Sequence, residues 1–264
     1  MAKLLQPEST IDSWSDWSTG LHSRPVLLDE LSGGRSNRSF LLHSDIGKLV
    51  LRINGTGSLL PGAGRDNEIS IWHEASKQGI APPLVFVDSK NQYLVSTYIH
   101  NELPPQPQLN PACVDQAFTL LDRCHQLDIN APTINYFDHI EHYWRIIESG
   151  NKSSSPTLIN QRKPMQLLLE SLLNSNTPSG LCHHDPVIAN FVGTPDRLYL
   201  IDWEYASNGL QIMDYAAMAT EWKLDDATVL EGTNFEPGLL IKAKQLYGYL
   251  CLLWENAITQ ALLG

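Results

Sequence analysis

The sequence predicts an α+β protein of two lobes, in which a small antiparallel β lobe with one helix precedes a larger, mainly α-helical lobe. Short apolar runs separated by turn residues occupy residues 26 to 97 and predict five strands. A single helical pattern interrupts them over residues 65 to 79, where Ile69, Trp72 and Ala75 recur at helical spacing before a terminating glycine. In the rest of the chain the apolar spacing is mostly helical.

A proline-rich polar segment, HNELPPQPQLNP at residues 100 to 111, separates these two regions. Segments of this composition commonly connect lobes, so we expect the boundary near residue 99. Residues 1 to 20 predict a polar arm or short helix. Within it Trp14 and Trp17 are three positions apart, and we expect them to pack against the body of the protein.

Amphipathic helices are expected to build the second lobe. In PACVDQAFTLLDRCHQLD one helix face collects the apolar residues Val114, Ala117, Phe118, Leu121 and Cys124. Helical patterns cover residues 111–128, 136–148, 163–174 and 236–262. The polar stretch GNKSSSPTLINQRK between two of them predicts an exposed loop at residues 150 to 163.

The composition disfavours several classes of partner and site. Eighteen Lys and Arg against 29 Asp and Glu give a net charge of −11, and the cations are dispersed, so we expect no nucleic-acid partner. The four cysteines lack the spacing of a zinc module or a disulfide framework, which suits a reducing compartment. Apolar runs of about 18 residues and the features of a signal peptide are absent. The expected location is the cytoplasm, without a membrane partner.

One polar stretch, LCHHDPVIANFVGTPDRLYLIDWEYA at residues 181 to 206, has the residue types of a reactive site. The strand RLYLID follows the turn GTPD, and this return brings Asn190 on the loop close to Asp202 at the strand end. An amide oxygen and a carboxylate are hard ligands that suit Mg²⁺. Asp185 lies one loop width away, where it could accept a proton from a hydroxyl. Any one of these residues alone suits a turn or cap, but their combined spacing favours phosphoryl transfer.

This spacing, H-x-D-x-x-x-x-N followed by D-x-E, resembles the signature of the choline kinase and aminoglycoside phosphotransferase family. Members of that family are small-molecule kinases with a bilobal protein-kinase-like fold. The resemblance implies that Asp185 is the catalytic aspartate and that Asn190 and Asp202 bind Mg²⁺. Glu204 would join the metal shell or hold the loop. ATP is the implied phosphoryl donor.

The first lobe carries further parts of this resemblance. LSGGRSN resembles the family's phosphate-binding turn, through Gly33, Gly34, Ser36 and Asn37. Strand alternation in KLVLRI places Val50 and Arg52 on one face, as adenine floor and phosphate-contacting cation, with Lys48 as the competing cation. Glu68 matches the glutamate that pairs with the strand cation. Main-chain groups from Thr97 to Ile99 would hold the adenine edge.

Through the same resemblance, residues 1–99 are expected to form the nucleotide-binding lobe with its arm, and residues 100–264 the lobe of the catalytic loop and acceptor site. Asp214 matches an aspartate that follows the metal motif in choline-kinase-type and thiamine-kinase-type members, and Glu221 and Trp222 match the acidic-aromatic pair after it. Trp254 matches one position of the aromatic helix that encloses choline, and we expect these four residues at the acceptor. Cys251 stands where a second tryptophan of the choline-binding type is expected. Acidic and aromatic groups together suit a cationic alcohol, although tryptophans on amphipathic helices also belong to cores.

We therefore predict an ATP- and Mg²⁺-dependent kinase of a small cationic alcohol resembling choline or ethanolamine, with thiamine and aminoglycosides as alternatives. A pseudokinase-like module that only binds a nucleotide or metabolite is the alternative from another class. Such a module has no chemical need for Asp185, Asn190 and Asp202 together. A protein kinase is disfavoured because WEYASNG leads from Asp202 to a helix without a long activation loop. The oligomeric state stays open.

Overall fold

The computed structural model describes residues 5–17, 20–31, 37–55, 64–104, 106–150 and 155–261. Its first part is a five-stranded antiparallel sheet with the strand order β1-β2-β3-β5-β4. The strands are β1 Val26–Leu31, β2 Asn37–Ser44, β3 Gly47–Asn54, β4 Leu84–Val87 and β5 Tyr93–Thr97. The five strands and the helix α2, Arg65–Lys77, lie where the apolar patterns predicted them.

The central strand β3 separates two environments. Leu49, Leu51 and Ile53 point into a core cluster that also contains Ile11 and Trp17. Those last two residues belong to a short helix α1, Pro7–Ile11, and a 3-10 turn, Trp14–Trp17. The N-terminal arm therefore covers the outer face of the sheet, as expected for its tryptophans, and burial of Ile11 alone contributes about 2 kcal/mol.

Helix α2 connects the sheet to the rest of the protein. Ile71 and Trp72 share one core cluster with Leu94 of the sheet and with Leu121 and Leu200 of the second part of the chain. The indole N–H of Trp72 donates to the carbonyl of Pro82 at 2.8 Å. In the first turn of the helix, Glu68 contacts Arg52 of β3, and Arg65 contacts Glu204 of the second part.

Six helices build most of the second part: α3 Pro111–His125, α4 Tyr136–Ser149, α5 Pro156–Leu173, α6 Gln211–Glu221, α7 Asp226–Gly232 and α8 Pro237–Ala261. The predicted loop at residues 150 to 163 is wrong in its second half, because α5 begins at Pro156. Ser155 caps this helix by accepting a hydrogen bond from the amide of Leu158 at 3.2 Å. Serine at the N-cap followed by proline in the first turn favours a helix start, although the same pair also occurs in turns.

Four short strands surround the acidic stretch: β6 Ser179–Cys182, β7 Phe191–Thr194, β8 Arg197–Leu200 and β9 Ser207–Leu210. The predicted return is the antiparallel hairpin of β7 and β8, while β6 pairs with β9. The lobe boundary at residues 99 and 100 stays a prediction. In the part of the chain that the structure describes, every helix is too short or too polar to cross a bilayer.

Candidate active site

The carboxylate of Asp214 holds the loop that follows β6 through hydrogen bonds to the loop backbone. Asp214 accepts the backbone N–H of His183 and of His184, each at 2.8 Å, and the ring of His125 donates to it at 3.0 Å. Burial alone would raise the pKa of Asp214, yet the His125 hydrogen bond and the neighbouring imidazoles lower it below its usual value. The anchor holds His184 in a left-handed conformation, at φ 64°, immediately before Asp185.

Asn190 holds Asp185 in place. Its side-chain amide donates to the backbone oxygen of Asp185 at 2.9 Å and to Oδ2 of the same residue at 2.8 Å. Burial raises the pKa of Asp185 above its usual value, and the negative charges of Asp202 and Glu204 add to that rise. A carboxylate with a raised pKa is a stronger base, which suits it to proton transfer from a hydroxyl.

The strand end brings Asp202 to the same loop, as the predicted hairpin requires. The amide of Ile201 donates to the carbonyl of Asn190 at 3.0 Å. The buried ring of His183 donates to the carbonyl of Ile201 at 3.0 Å, so this histidine links the loop to the strand end. Asp202 itself is left-handed, at φ 65° and ψ 67°. Such strain in a non-glycine residue is characteristic of functional sites.

Arg52 is the cation of β3 that reaches this acidic group. Its Nη2 lies 2.6 Å from Oε1 of Glu68, and its Nη1 lies 3.5 Å from Oδ1 of Asp202. The competing Lys48 is exposed, and its ammonium lies over the ring of Tyr98, 5.7 Å from the centroid. The expected Arg52–Glu68 pair is therefore present, and Lys48 is directed away from the acidic residues.

Sequence reasoning missed a second cation, Arg65. It donates through Nη1 to Glu68 at 2.7 Å and through Nη2 to Oδ1 of Asn37 at 2.7 Å. Oε2 of Glu204 lies 3.7 Å from the same Nη1. The available signal was the spacing of Arg65 and Glu68, three positions apart in the first helical turn, where side chains meet.

The nucleotide-side predictions have a mixed outcome. Gly33, Gly34 and Ser36 lie outside the described residues. Asn37 is buried and bonded to Arg65, and its Nδ2 donates to Oε2 of Glu204 at 3.4 Å, so its side chain links protein groups. Val50 is half-buried on β3, two positions before Arg52, on the face opposite the outer core.

At the expected hinge, the amide of Thr97 donates to the carbonyl of Pro83 at 2.9 Å, and the amide of Tyr98 donates to Lys48 at 3.1 Å. These two N–H groups are used within the protein. The N–H of Ile99 has no protein partner among the described residues. The role of Thr97 to Ile99 in holding an adenine edge stays a prediction.

Two of the four acceptor predictions are wrong. Asp214 is completely buried and bonded to the loop backbone, so it cannot contact an acceptor. Trp222 is also completely buried, and its indole N–H donates to the carbonyl of Pro186 at 3.2 Å. Both residues support the loop from the core side, because α6 lies directly beneath it.

Glu221 and Trp254 remain partly accessible. Glu221 accepts the hydroxyl of Tyr247 at 3.0 Å, and Tyr247, Cys251 and Trp254 follow one face of α8 at intervals of four and three residues. Burial raises the pKa of Cys251 to about 11, and the charges of Glu221, Glu255 and Asp185 contribute to the rise. This face of α8 therefore carries aromatic rings and a thiol next to the carboxylate of Glu221.

The oxygen donors of Asn190, Asp202 and Glu204 suit a hard divalent cation. The Nδ2 of Asn190 is committed to Asp185, which leaves Oδ1 as the remaining polar atom of that side chain. Among the described residues, none donates a hydrogen bond to the buried Oδ1 of Asp202, and the 3.5 Å contact with Arg52 is the ion pair beside it. A buried carboxylate oxygen of this kind fits a metal ligand.

A model described as the phosphotransferase enzyme family matches residues 28–241 of this sequence. The chain belongs to this family. Among its relatives is Protein LicA of Haemophilus influenzae, which is 26% identical over 206 residues, or 76% of this chain and 60% of LicA. The match therefore covers less than two thirds of that relative.

Solved structures of family members have the same fold. The choline kinase LicA from Streptococcus pneumoniae superposes with a TM-score of 0.76 at 20% identity, over 95% of this chain and 88% of LicA. A structure of LicA in complex with AMP superposes with a TM-score of 0.73 at 20% identity, over 95% of this chain and 89% of LicA. This similarity confirms the predicted α+β, protein-kinase-like fold with a small antiparallel N-lobe and a larger helical C-lobe.

Proposed function

We propose that this phosphotransferase is a kinase that transfers the γ-phosphoryl group of ATP, with Mg²⁺, to the hydroxyl of a small cationic alcohol of the choline type. The observation that carries the proposal is the meeting of Asp185 and Asn190 with Asp202 and the buried Arg52–Glu68 pair at one point. These groups combine a proton acceptor, oxygen ligands and a phosphate-directed cation, which is the set that phosphoryl transfer requires.

In this mechanism Asp185 orients the acceptor hydroxyl and accepts its proton as the oxygen attacks the γ-phosphorus in line with the departing ADP oxygen. The raised pKa of Asp185 favours that proton transfer. Asn190 keeps the carboxylate aimed through its bond to Oδ2. The Asp214 anchor holds the loop backbone in place, so the base is positioned before the acceptor arrives.

Asn190, Asp202 and Glu204 would hold the metal. Mg²⁺ bound there supplies positive charge that stabilises the transferring phosphoryl group. Arg52 adds a planar guanidinium beside Asp202, and Glu68 fixes its direction through the 2.6 Å contact. Ile99 would contribute its backbone N–H to the adenine.

A cationic acceptor is supported by a carboxylate close to the α8 face that carries Trp254, since Glu221 is bonded to Tyr247 of that face. Glu221 and Glu255 act on the same α8 face as Trp254, and the whole chain carries a net charge of −11. Carboxylates attract an ammonium group, and a tryptophan face stabilises it further. The relative named choline kinase LicA supports the same substrate class.

The test is a coupled assay of ADP release with purified protein, Mg²⁺ and ATP over choline, ethanolamine, thiamine, an aminoglycoside and a sugar. We expect turnover with choline or ethanolamine, strongly lowered by Asp185→Asn and lost on chelation of the metal. Preferential turnover of thiamine or the aminoglycoside would contradict the choline-type acceptor and assign that other acceptor class to the protein. ATP-dependent thermal stabilisation without turnover of any alcohol would favour a nucleotide-binding module instead.

A further inference from the structure

Arg65 belongs to a chain of ionic contacts that crosses from α2 to the D-x-E segment. Arg52 contacts Glu68 and Asp202, at 2.6 and 3.5 Å, while Arg65 contacts Glu68 and Glu204, at 2.7 and 3.7 Å. Two guanidinium groups therefore face three carboxylates. The group carries a formal charge of −1, and two of its carboxylates belong to the proposed metal ligands.

The contacts of Arg65 differ in strength. Its bonds to Glu68 and to Asn37 are both 2.7 Å, which is the length of a strong hydrogen bond. Its approach to Glu204 is 1 Å longer, at 3.7 Å, beyond hydrogen-bond length but within the range of an ion pair. The side chain of Glu68 is 2% exposed, whereas that of Glu204 is 11% exposed. The Glu204 contact is thus the weaker and more accessible of the two.

We propose that Arg65 is a positioning residue that neutralises Glu204 before the metal binds, so that Arg65 and the divalent cation compete for this carboxylate. The inference rests on the proposed metal site. When Glu204 turns to the cation, Arg65 keeps its two short bonds to Glu68 and Asn37. Arg65 therefore continues to connect helix α2 to the start of β2. The move of Glu204 from Arg65 to the cation affects metal affinity, and the position of the helix is unchanged.

Competition predicts a change in metal affinity that is opposite in direction to the change caused by a disrupted site. Removing Arg65 should tighten metal binding, because the cation no longer displaces a guanidinium and no longer meets a neighbouring positive charge. A residue that only maintained the shape of the site would weaken metal binding when replaced. The direction of the change therefore separates the two roles.

The experiment titrates the 264-residue chain with Mn²⁺ alone and measures free Mn²⁺ by electron paramagnetic resonance, without nucleotide. Mn²⁺ accepts the same carboxylate and carbonyl oxygens as Mg²⁺. We expect Arg65→Gln to lower the Kd for Mn²⁺ by about three- to ten-fold, since ion pairs of this exposure are of modest strength. Arg65→Lys keeps the charge and should retain a Kd within about two-fold of wild type.

Two further variants separate competition from a general change of charge. Arg162→Gln removes a guanidinium that also joins two carboxylates, Glu141 and Glu148 at 2.6 and 2.7 Å, and should leave the Kd unchanged. In a Glu204→Gln background the competing carboxylate is gone, so adding Arg65→Gln should produce no further tightening.

An unchanged or raised Kd for Arg65→Gln overturns the inference when the wild-type protein binds Mn²⁺. Tightening that persists in the Glu204→Gln background overturns it as well, because it would come from charge alone. If neither the wild-type protein nor the variant binds Mn²⁺, the metal site of the proposed function fails, and the inference fails with it.

Discussion

Arg52 and Glu68 are joined by a contact of 2.6 Å between Nη2 and Oε1, and their side chains are only 6% and 2% exposed. A buried ion pair is costly to break, because the remaining charge is left without compensation in a poorly solvated site. Asp202 offers Arg52 only a longer contact, at 3.5 Å, and cannot replace Glu68.

We therefore expect Glu68→Gln to lower the free energy of unfolding by about 3 kcal/mol and to weaken binding of ADP. Urea denaturation and calorimetric titration measure the two effects. Glu74→Gln is the matched control on the same helix, where Glu74 pairs with the exposed Lys77 at 3.1 Å. This control should stay within about 0.5 kcal/mol of wild type. Equal stability of both variants would contradict a structural role for the buried pair.

Asp185→Asn keeps the shape of the side chain but removes the base. Turnover should fall by about 10²- to 10⁴-fold, the usual contribution of general base catalysis. The affinity for ADP should stay within about two-fold, since Asp185 lies on the acceptor side. Asp196→Asn, at the exposed turn between β7 and β8, is the control and should keep full turnover. Near-normal turnover of Asp185→Asn would assign the proton transfer to another group.

Asp214→Asn tests the corrected role of this residue. The amide nitrogen would face one of the two backbone N–H groups that Asp214 accepts, which costs about 1–3 kcal/mol of stability. We expect a lower kcat, because the loop carrying Asp185 loosens, with the KM for the acceptor unchanged. Steady-state kinetics and thermal unfolding supply the measurements. A raised acceptor KM at constant kcat would restore Asp214 as an acceptor contact.

Glu221→Gln tests the acceptor side. Loss of this carboxylate should raise the KM for choline by about five-fold, as for a partly exposed charge pair, and leave the KM for ATP unchanged. The KM for dimethylbutanol, the neutral analogue of choline, should be the same in the variant and the wild type. Glu231→Gln, at the exposed end of α7, is the control. Equal effects on the charged and the neutral alcohol would exclude a role in cation recognition.

His139 links the stability of the helical part to pH. Burial lowers its pKa from 6.5 to about 3, so the folded protein favours the neutral ring. The unfolded chain binds a proton near pH 6.5, and stability present above that pH is lost as the pH falls toward 3.

At pH 5 the protonation of His139 in the unfolded chain lowers the free energy of unfolding by about 2 kcal/mol. His139→Phe keeps a ring against Tyr143, whose centroid lies 4.9 Å from that of His139, and should reduce the fall in unfolding free energy between pH 7 and pH 5 by that amount. The measurement is urea denaturation at both pH values. His43→Phe, at an exposed position of β2, should not reduce the fall. An equal reduction of this fall by His43→Phe would show that the effect does not arise from burial of His139.

Sequence reasoning was most accurate where a pattern is local. Alternation along β3 assigned Val50 and Arg52 to one face, and the structure places Leu51 of the other face in the outer core, because side chains of a strand alternate by geometry. The spacing from Asp185 to Asp202 likewise identified the loop and its returning strand. Short-range rules suffice in both cases, since the partners lie within one hairpin.

The face of α6 could not be read from the sequence. Every residue from Ile212 to Ala219 is buried, so this helix has no polar stripe to indicate its orientation. Asp214 and Trp222 were therefore assigned to the acceptor, whereas they support the catalytic loop from below. Arg65 was missed for a related reason, because two of its partners, Asn37 and Glu204, are remote in the chain.

The sequence by itself determined the fold class, the family signature and the loop that carries Asp185, because strand alternation and motif spacing are encoded by neighbouring residues. Only the tertiary structure decided which polar groups stay accessible at the site and which are buried in the core. That choice depends on the desolvation of each charge and on partners from distant segments, as for Asp214 beneath the loop and Arg65 beside Glu204.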